Sequence, residues 1–146
     1  MSDLDNACIL PDANGIIYLL KNGVRERLLN RLCAEKRLKI VDDVARELRR
    51  REASTTKVWV DRNRQSIVEP AQEVLDEVVR LAREYQDIFT VVGKAADPSL
   101  VATAIYYKGS QMRHLIVSDD HGVQAVCVLE QIEFVPCRAY HTILVR

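Results

Sequence analysis

Four stretches of this sequence place acidic residues where carboxylates can do chemistry. Asp12 directly follows an apolar run, and the pair Asp119 and Asp120 directly follows another. Asp97 stands before a proline at the start of a helical pattern. Glu47 lies inside a helical pattern between apolar neighbours, so its side chain is expected to face partly inward. Strand ends and helix starts are positions that converge in folded α/β proteins, so these acids are expected to share one site.

A cluster of half-buried carboxylates is unstable on its own. Its members repel one another and burial raises their pKa, so a cation must fill the cluster. Oxygen ligands without Cys or His select hard ions, and Mg²⁺ or Mn²⁺ held by a few carboxylates and water is usual where the substrate carries phosphate. Such an ion activates a bound water and stabilises the charge of a phosphodiester under attack. The residue types therefore predict a Mg²⁺ or Mn²⁺ site for phosphodiester hydrolysis.

Each acidic residue also has a purely structural explanation. Asp12 and Asp97 can each cap the helix that follows, as can one member of the later aspartate pair. Glu47 can pair with Arg50 or Arg51 on the surface of its own helix. Capping and metal binding are compatible, because a carboxylate has two oxygens.

Composition limits the kinds of protein that this chain can be. Its 146 residues, 48% of them hydrophobic, predict one domain spanning residues 1–146. The 21 basic and 21 acidic residues cancel, so any site for a polyanion must be local. The acidic N-terminus and the brief apolar runs predict neither a signal peptide nor a membrane span, hence a cytoplasmic protein. The four cysteines form no CxxC pair and are expected to be buried thiols.

Strand and helix patterns alternate along the chain. The predicted strands are residues 8–11, 38–41, 114–118 and 132–135, with an edge strand or loop at 66–68, a short extended piece at 91–92 and a tail strand near 142–145. The predicted helices are residues 14–20, 24–38, 70–85, 97–108 and 121–129, with two further helices that start at the tandem aspartate 42–43 and at Ser54. This order predicts a three-layer α/β/α sandwich around a mainly parallel sheet, with functional groups beyond the carboxyl ends of the strands.

Three of the acidic stretches resemble motifs of the PIN-domain ribonucleases, many of which are VapC-like toxins. "ILPDANGIIYLL" is similar to the opening motif of that family, which implies Asp12 as a metal ligand and Asn14 as a supporting polar group. "VDDVARELRRR" resembles the helix that supplies the glutamate of the family, here Glu47. "AADPSLVATAIYYKG" looks like the third motif, with Asp97 as the ligand.

The fourth stretch, "LIVSDDHGV", resembles the last motif of the family. Read strictly, the motif selects Ser118 and Asp120, while Asp119 takes the ligand role if the strand ends one residue earlier. The sequence departs from the family pattern at Pro11, which has no N–H to donate, and at Ser118, which replaces the more frequent threonine. The motifs follow the family order across nearly the whole chain.

The resemblance implies a metal-dependent endoribonuclease that leaves a 5′-phosphate and a 3′-hydroxyl. It further implies a homodimer and, where the enzyme is the toxin of a toxin–antitoxin pair, an antitoxin protein as partner. Arg49, Arg50 and Lys94 are candidates for contact with the RNA backbone, although a solvated charged surface is the commoner explanation. Two alternatives remain open, namely a non-catalytic PIN-like binding or scaffold domain and a metal-dependent phosphohydrolase of another substrate.

Overall fold

Every strand pairing is parallel in the computed structural model, which describes residues 6–21, 23–50, 54–92 and 96–144. The strands are Cys8–Pro11 (β1), Ile40–Val41 (β2), Ile67–Val68 (β3), His114–Val117 (β4) and Phe134–Val135 (β5). β4 lies between β1 and β5 in a three-stranded sheet, and β2 pairs with β3. The predicted α/β class with a mainly parallel sheet is therefore confirmed.

The β2–β3 pair lies on the side of β1 that faces away from β4. Ile9 forms a parallel bridge to Leu38, two residues before β2 begins. Two backbone hydrogen bonds hold this bridge, from Ile9 to Arg37 at 2.9 Å and from Lys39 to Ile9 at 3.0 Å. The chain therefore leaves β1 toward one side for β2 and β3, and toward the other for β4 and β5. The gap between the carboxyl ends of β1 and β4 is the point at which this order reverses, and such points hold the ligand sites of open α/β sheets.

Helices connect the strands and cover them. In the described residues they are Ala13–Leu20 (α1), Gly23–Ala34 (α2), Asp42–Arg50 (α3), Ser54–Arg62 (α4), Gln72–Glu84 (α5), Gln86–Val92 (α6), Ala96–Tyr107 (α7), His121–Glu130 (α8) and Cys137–Leu144 (α9). α3 packs against α1 and α7, and α7 packs against β4. None of the helices described here has both the length and the hydropathy needed to cross a bilayer.

Several element predictions are wrong. The tail near residues 142–145 is not a strand, because α9 occupies Cys137–Leu144. The extended piece at 91–92 is the last turn of α6, which packs against α5 and α8. The helix predicted to reach residue 38 ends at Ala34, since Lys36 has a positive φ of 60° and Leu38 already pairs with β1. The helix predicted from residue 70 begins at Gln72, after the extended Ala71.

The prediction for the four cysteines is confirmed, since all of them are buried and free. The buried apolar side chains of the described residues form one cluster, which runs from Ala7 to Tyr140 and includes Trp59. Trp59 is oriented within it by its indole N–H, which donates to Asn30 Oδ1 at 2.8 Å.

At the opposite, amino-terminal edge of the sheet, His114 at the start of β4 is held in its neutral form. Its Nδ1 lies 2.8 Å from the carbonyl oxygen of Met112, which can only accept, so Nδ1 carries the proton. Its Nε2 then accepts from the Lys39 ammonium at 2.8 Å. The Tyr107 ring stacks on the imidazole with the centroids 4.5 Å apart, and Lys39 Nζ lies 3.6 Å from the centre of the same tyrosine ring. Burial and the Lys39 charge together lower the pKa of His114.

We expect acid to destabilise the protein through His114. Because the folded-state pKa lies below the ordinary value of 6.5, the stabilising contribution is complete above pH 6.5 and is lost as the pH falls from there through the folded pKa. An NMR titration of the imidazole should give a pKa below 6.5, and Lys39→Met should raise it by removing the neighbouring charge. Lys57→Met, at an exposed lysine on α4, is the control. A wild-type pKa at or above 6.5 would contradict this prediction.

Candidate functional site

Asp12 lies at the carboxyl end of β1, in the gap between β1 and β4. Its backbone N–H donates to the Val117 carbonyl oxygen at 3.1 Å, which continues the β1–β4 ladder for one residue. Its side chain is only 6% exposed. Oδ1 accepts from the Gly15 N–H at 2.6 Å and so caps α1, while Oδ2 accepts from the Ser118 hydroxyl at 2.5 Å. The capping explanation for Asp12 is confirmed, and a second interaction reaches across to the neighbouring strand.

Ser118 links the two strand ends. Its side chain is completely buried, and its hydroxyl donates to Asp12 Oδ2 while it accepts from the Asp120 N–H at 3.0 Å. Its backbone is fixed as well, because its N–H donates to the Val135 carbonyl at 3.1 Å and its carbonyl accepts from the Gln124 side chain at 2.9 Å. One hydroxyl therefore holds the Asp12 carboxylate and the turn that leads into α8 in a fixed relation.

The two acids of the later pair face different helices. Asp120 is half-buried and caps α8, with Oδ1 accepting from the Val123 N–H at 2.9 Å. Asp119 is exposed, and its Oδ1 accepts from the Cys137 N–H at 2.9 Å at the start of α9. The backbone N–H of Asp120 and the Oδ2 atom of Asp12 both bind the Ser118 hydroxyl, whereas Asp119 Oδ1 binds the first residue of α9. The choice of fourth ligand between the two stays a prediction.

Cys137 and Gly15 also belong to this site, and the sequence reading assigned neither to it. The Cys137 thiol is buried, and desolvation, followed by the charges of Asp119 and Asp12, raises its pKa to about 12. It is therefore a neutral thiol beside the two carboxylates. A Cβ on Gly15 would lie 3.0 Å from Asp12 Oδ1, 3.0 Å from the Val117 carbonyl oxygen and 3.4 Å from Cys137 Sγ. The absence of a side chain lets the first turn of α1 approach the end of β4.

We expect Gly15→Ala to destabilise the protein. Alanine gains up to about 1 kcal/mol over glycine within a helix, but forcing a methyl group against a packed backbone carbonyl costs about 1–3 kcal/mol. The second effect is the larger, so urea denaturation should show a net loss of roughly 1 kcal/mol. Gly109→Ala is the matched control, because a Cβ there has nothing within 4 Å. Equal stability of the two variants would contradict the close approach.

Glu47 is on α3, which packs against α1, and Asp97 is on α7, which packs against β4. Asp97 is in the first turn of α7 and is 4% exposed, whereas Glu47 is half-buried in the middle of α3. The helix predicted to begin at Asp97 begins at Ala96, so the prediction that Asp97 is the N-cap is wrong. The Ser99 hydroxyl donates to Asp43 Oδ2, which ties the first turn of α7 to the first turn of α3. Glu47 is four residues beyond Asp43 and so lies on the same face of α3.

The described residues contain no group of three or more His, Cys, Asp or Glu side chains placed to hold a metal ion together. The contacts join Asp12, Ser118 and Asp120 into one network, and they bring Cys137 and Asp119 beside it. They connect the helices of Glu47 and Asp97 through the Asp43–Ser99 hydrogen bond. The complete ligand set of four acids stays a prediction.

The other predicted residues lie outside this network or beyond the described residues. Asn14 is exposed on the first turn of α1. Arg49 is exposed and its Nη2 lies 3.5 Å from Asp61 Oδ1, while the exposed Arg50 donates from Nε to the Arg46 carbonyl at 3.4 Å. Lys94 is not among the described residues.

Comparison with known proteins places this chain in no class. No protein-family model matches it, and none of the curated proteins matches it significantly. The site is therefore interpreted from its own residues.

Proposed function

We propose that the protein is a metal-dependent endoribonuclease that hydrolyses RNA phosphodiester bonds at the carboxyl ends of β1 and β4. The observation that carries this proposal is the buried Asp12 carboxylate at the point where the strand order reverses, held by the Ser118 hydroxyl from the neighbouring strand. The motif order that resembles the PIN-domain ribonucleases agrees with this position.

The donor chemistry of the site fits Mg²⁺ or Mn²⁺. Asp12 and Asp97 are buried carboxylates, and hard divalent cations prefer such oxygens. Mg²⁺ in particular uses one or two carboxylates together with water and substrate phosphate, so it does not need three protein ligands in one cluster. Asp12 would hold the ion, with Asp97, Glu47 and Asp120 or Asp119 as the further candidates. When bound, the ion lowers the pKa of a water and stabilises the charge on the phosphodiester.

The residues of the chain have separate roles in this proposal. Asp12 and Asp97 would supply the negative charge that attracts the cation. The Gly15 N–H and the Ser118 hydroxyl each bind one oxygen of Asp12 and so limit the orientations of that carboxylate. Asn14, exposed on the first turn of α1, would contact the substrate.

The finer features of the fold and the partners belong to the same proposal. Helices on both faces of the parallel sheet would give the three-layer PIN-like sandwich. RNA is the substrate, an antitoxin protein and a second copy of the chain are the partners, and the cytoplasm is the location. Arg49, Arg50 and Lys94 would contact the RNA backbone.

One observation favours a non-catalytic binding domain instead. The carboxylates of Asp12, Asp119 and Asp120 each accept a hydrogen bond from a backbone N–H at a helix start. All three therefore have a structural role that requires no metal. The two functions differ in their response to metal. Independent caps gain nothing from Mn²⁺, whereas a cation site stabilises the folded state as the ion binds.

Cleavage and thermal unfolding with and without metal test the proposal. Wild-type protein should cut labelled single-stranded RNA in the presence of Mn²⁺ or Mg²⁺ and should stop on addition of EDTA. At Mn²⁺ concentrations about 100 times the dissociation constant, the folded state should gain about 2.7 kcal/mol, seen as a higher melting temperature. NaCl at matched ionic strength is the control, because Na⁺ screens charge without the affinity of a divalent cation for carboxylates. Absence of both cleavage and Mn²⁺ stabilisation would reject the nuclease and favour the binding domain.

A further inference from the structure

A pocket of about 150 Å³ opens at the carboxyl ends of β2 and β3, between α3, α5 and α7. Its walls are aliphatic and include Val41, Val68, Val74 and Val78. A cavity of this size lined by aliphatic side chains accommodates a benzene-sized ring. The pocket therefore has room for one six-membered ring beside its apolar wall.

Charged groups with a defined arrangement line the rest of this pocket. Arg46 Nη2 forms an ion pair with Asp42 Oδ2 at 2.6 Å, Arg46 Nη1 donates to Asp43 Oδ1 at 2.9 Å, and Ser99 donates to Asp43 Oδ2. Both aspartates are partly exposed. Within the part of the chain that the structure describes, Asp42 Oδ1 accepts no hydrogen bond, and the Arg46 guanidinium donates one hydrogen bond and forms one ion pair with these carboxylates. Among the described residues, a carboxylate oxygen therefore lies beside a guanidinium that has further N–H groups to donate.

This pocket lies at the same edge of the sheet as Asp12. The parallel register that pairs Ile9 with Leu38, continued for three residues, brings Val41 level with Asp12. β1 and β2 are in contact, and neighbouring strands are about 4.8 Å apart. Ser99 connects the other side of the pocket to the α7 turn that carries Asp97. The pocket therefore lies at the sheet edge at which the proposed RNA site is centred on Asp12.

We propose that this pocket binds an unstacked pyrimidine base of the RNA, with cytosine preferred, and so selects the position of cleavage. The inference rests on the proposed function. Single-stranded RNA is read through bases turned out of the stack, and a cytosine edge carries an exocyclic amine beside two acceptors. The amine matches Asp42 Oδ1, and the ring nitrogen and carbonyl oxygen match the remaining Arg46 donors. A pocket of this volume matches a single ring more closely than a purine, and uracil presents a carbonyl oxygen where the carboxylate needs a donor.

Methyl NMR on the full chain without metal tests base binding directly. Cytidine should shift the methyl signals of Val41 and Val78, uridine should bind at least about fivefold more weakly, and adenosine should leave these signals in place. Asp42→Asn provides an amide that can donate to uracil, so it should remove or reverse the preference for cytidine over uridine. Leu75→Trp should block the pocket at a wall residue that is 45% exposed and tolerant of change, while Val79→Trp, one turn further along α5 and 56% exposed, should bind cytidine as the wild type does.

The outcomes separate this inference from the proposed function. Cytidine-dependent shifts without any RNA cleavage would leave base binding in place and reject the nuclease. Metal-dependent cleavage by a protein whose pocket methyl signals do not respond to cytidine would keep the nuclease and overturn the pocket. Shifts caused by N-acetyl-leucinamide but by no nucleoside would assign the pocket to a protein side chain and would also overturn it.

Discussion

Asp12→Asn is expected to reduce Mn²⁺-dependent cleavage of single-stranded RNA by at least about 10³-fold while the protein stays folded. A bound metal contributes several kcal/mol to transition-state stabilisation, and each 1.36 kcal/mol corresponds to about a factor of ten in rate. Asparagine removes the charge that attracts the cation but keeps the size of the side chain. Its amide oxygen still accepts from the Gly15 N–H, and asparagine caps helices about as well as aspartate. The measurement is the single-turnover cleavage rate.

A matched substitution separates the site from general loss of charge. Asp76→Asn removes the same charge from the exposed surface of α5, where Asp76 accepts from Gln72 at 3.0 Å, and should leave cleavage unchanged. Asp97→Asn should behave like Asp12→Asn. Full activity in Asp12→Asn and Asp97→Asn, with circular dichroism unchanged, would exclude these residues from catalysis.

Ser118→Ala is expected to lower cleavage by about 10- to 100-fold and to raise the Mn²⁺ concentration needed for half-maximal activity. Removing a residue that hydrogen-bonds to a metal ligand typically lowers metal affinity or activity by about 10- to 100-fold. The alanine would leave Asp12 Oδ2 and the Asp120 N–H without the hydroxyl that both use. A buried polar group without its partner costs about 1–3 kcal/mol, so a lower melting temperature should accompany the loss of activity.

The Mn²⁺ dependence of cleavage shows whether Ser118 positions the Asp12 carboxylate or only stabilises the fold. Ser118→Thr keeps the hydroxyl and should recover most of the Mn²⁺ affinity. Ser110→Ala deletes an exposed hydroxyl that donates to the Met112 carbonyl at 2.8 Å, near His114 at the opposite end of β4, and should change neither property. If Ser118→Ala lowered the melting temperature but left the Mn²⁺ dependence as in the wild type, Ser118 would be a purely structural residue.

The parts of the fold that the sequence predicts correctly have local causes. An aspartate at the end of an apolar run followed by a helical pattern is a local N-cap signal, and Asp12 and Asp120 both cap as expected. β1 and β4 are short and almost continuously apolar, and this pattern is typical of strands that are buried on both faces. The two strands and the acids that follow them could therefore be found without coordinates.

The parts that the sequence does not predict depend on distant partners. At the start of α9, the Cys137 N–H donates to Asp119, which lies 18 residues upstream. A cap from so far along the chain leaves no local signal for the helix start. The tail near residues 142–145 is rich in β-branched and apolar residues, and this composition alone favours a strand. Gly15 carries a detectable signal, since a glycine inside a helix indicates close backbone approach, but the residues that it approaches, Val117 and Cys137, are known only from the fold.

The Asp12–Ser118 hydrogen bond joins two residues separated by 106 positions. On the ribosome, Asp12 is synthesised 106 residues before Ser118. Until Ser118 has been made, β1 lacks the neighbouring strand against which the Asp12 carboxylate is fixed, because long-range parallel pairing must wait for both strands. In a nascent chain, the Asp12 carboxylate therefore takes up its fixed orientation only after β4 has been synthesised.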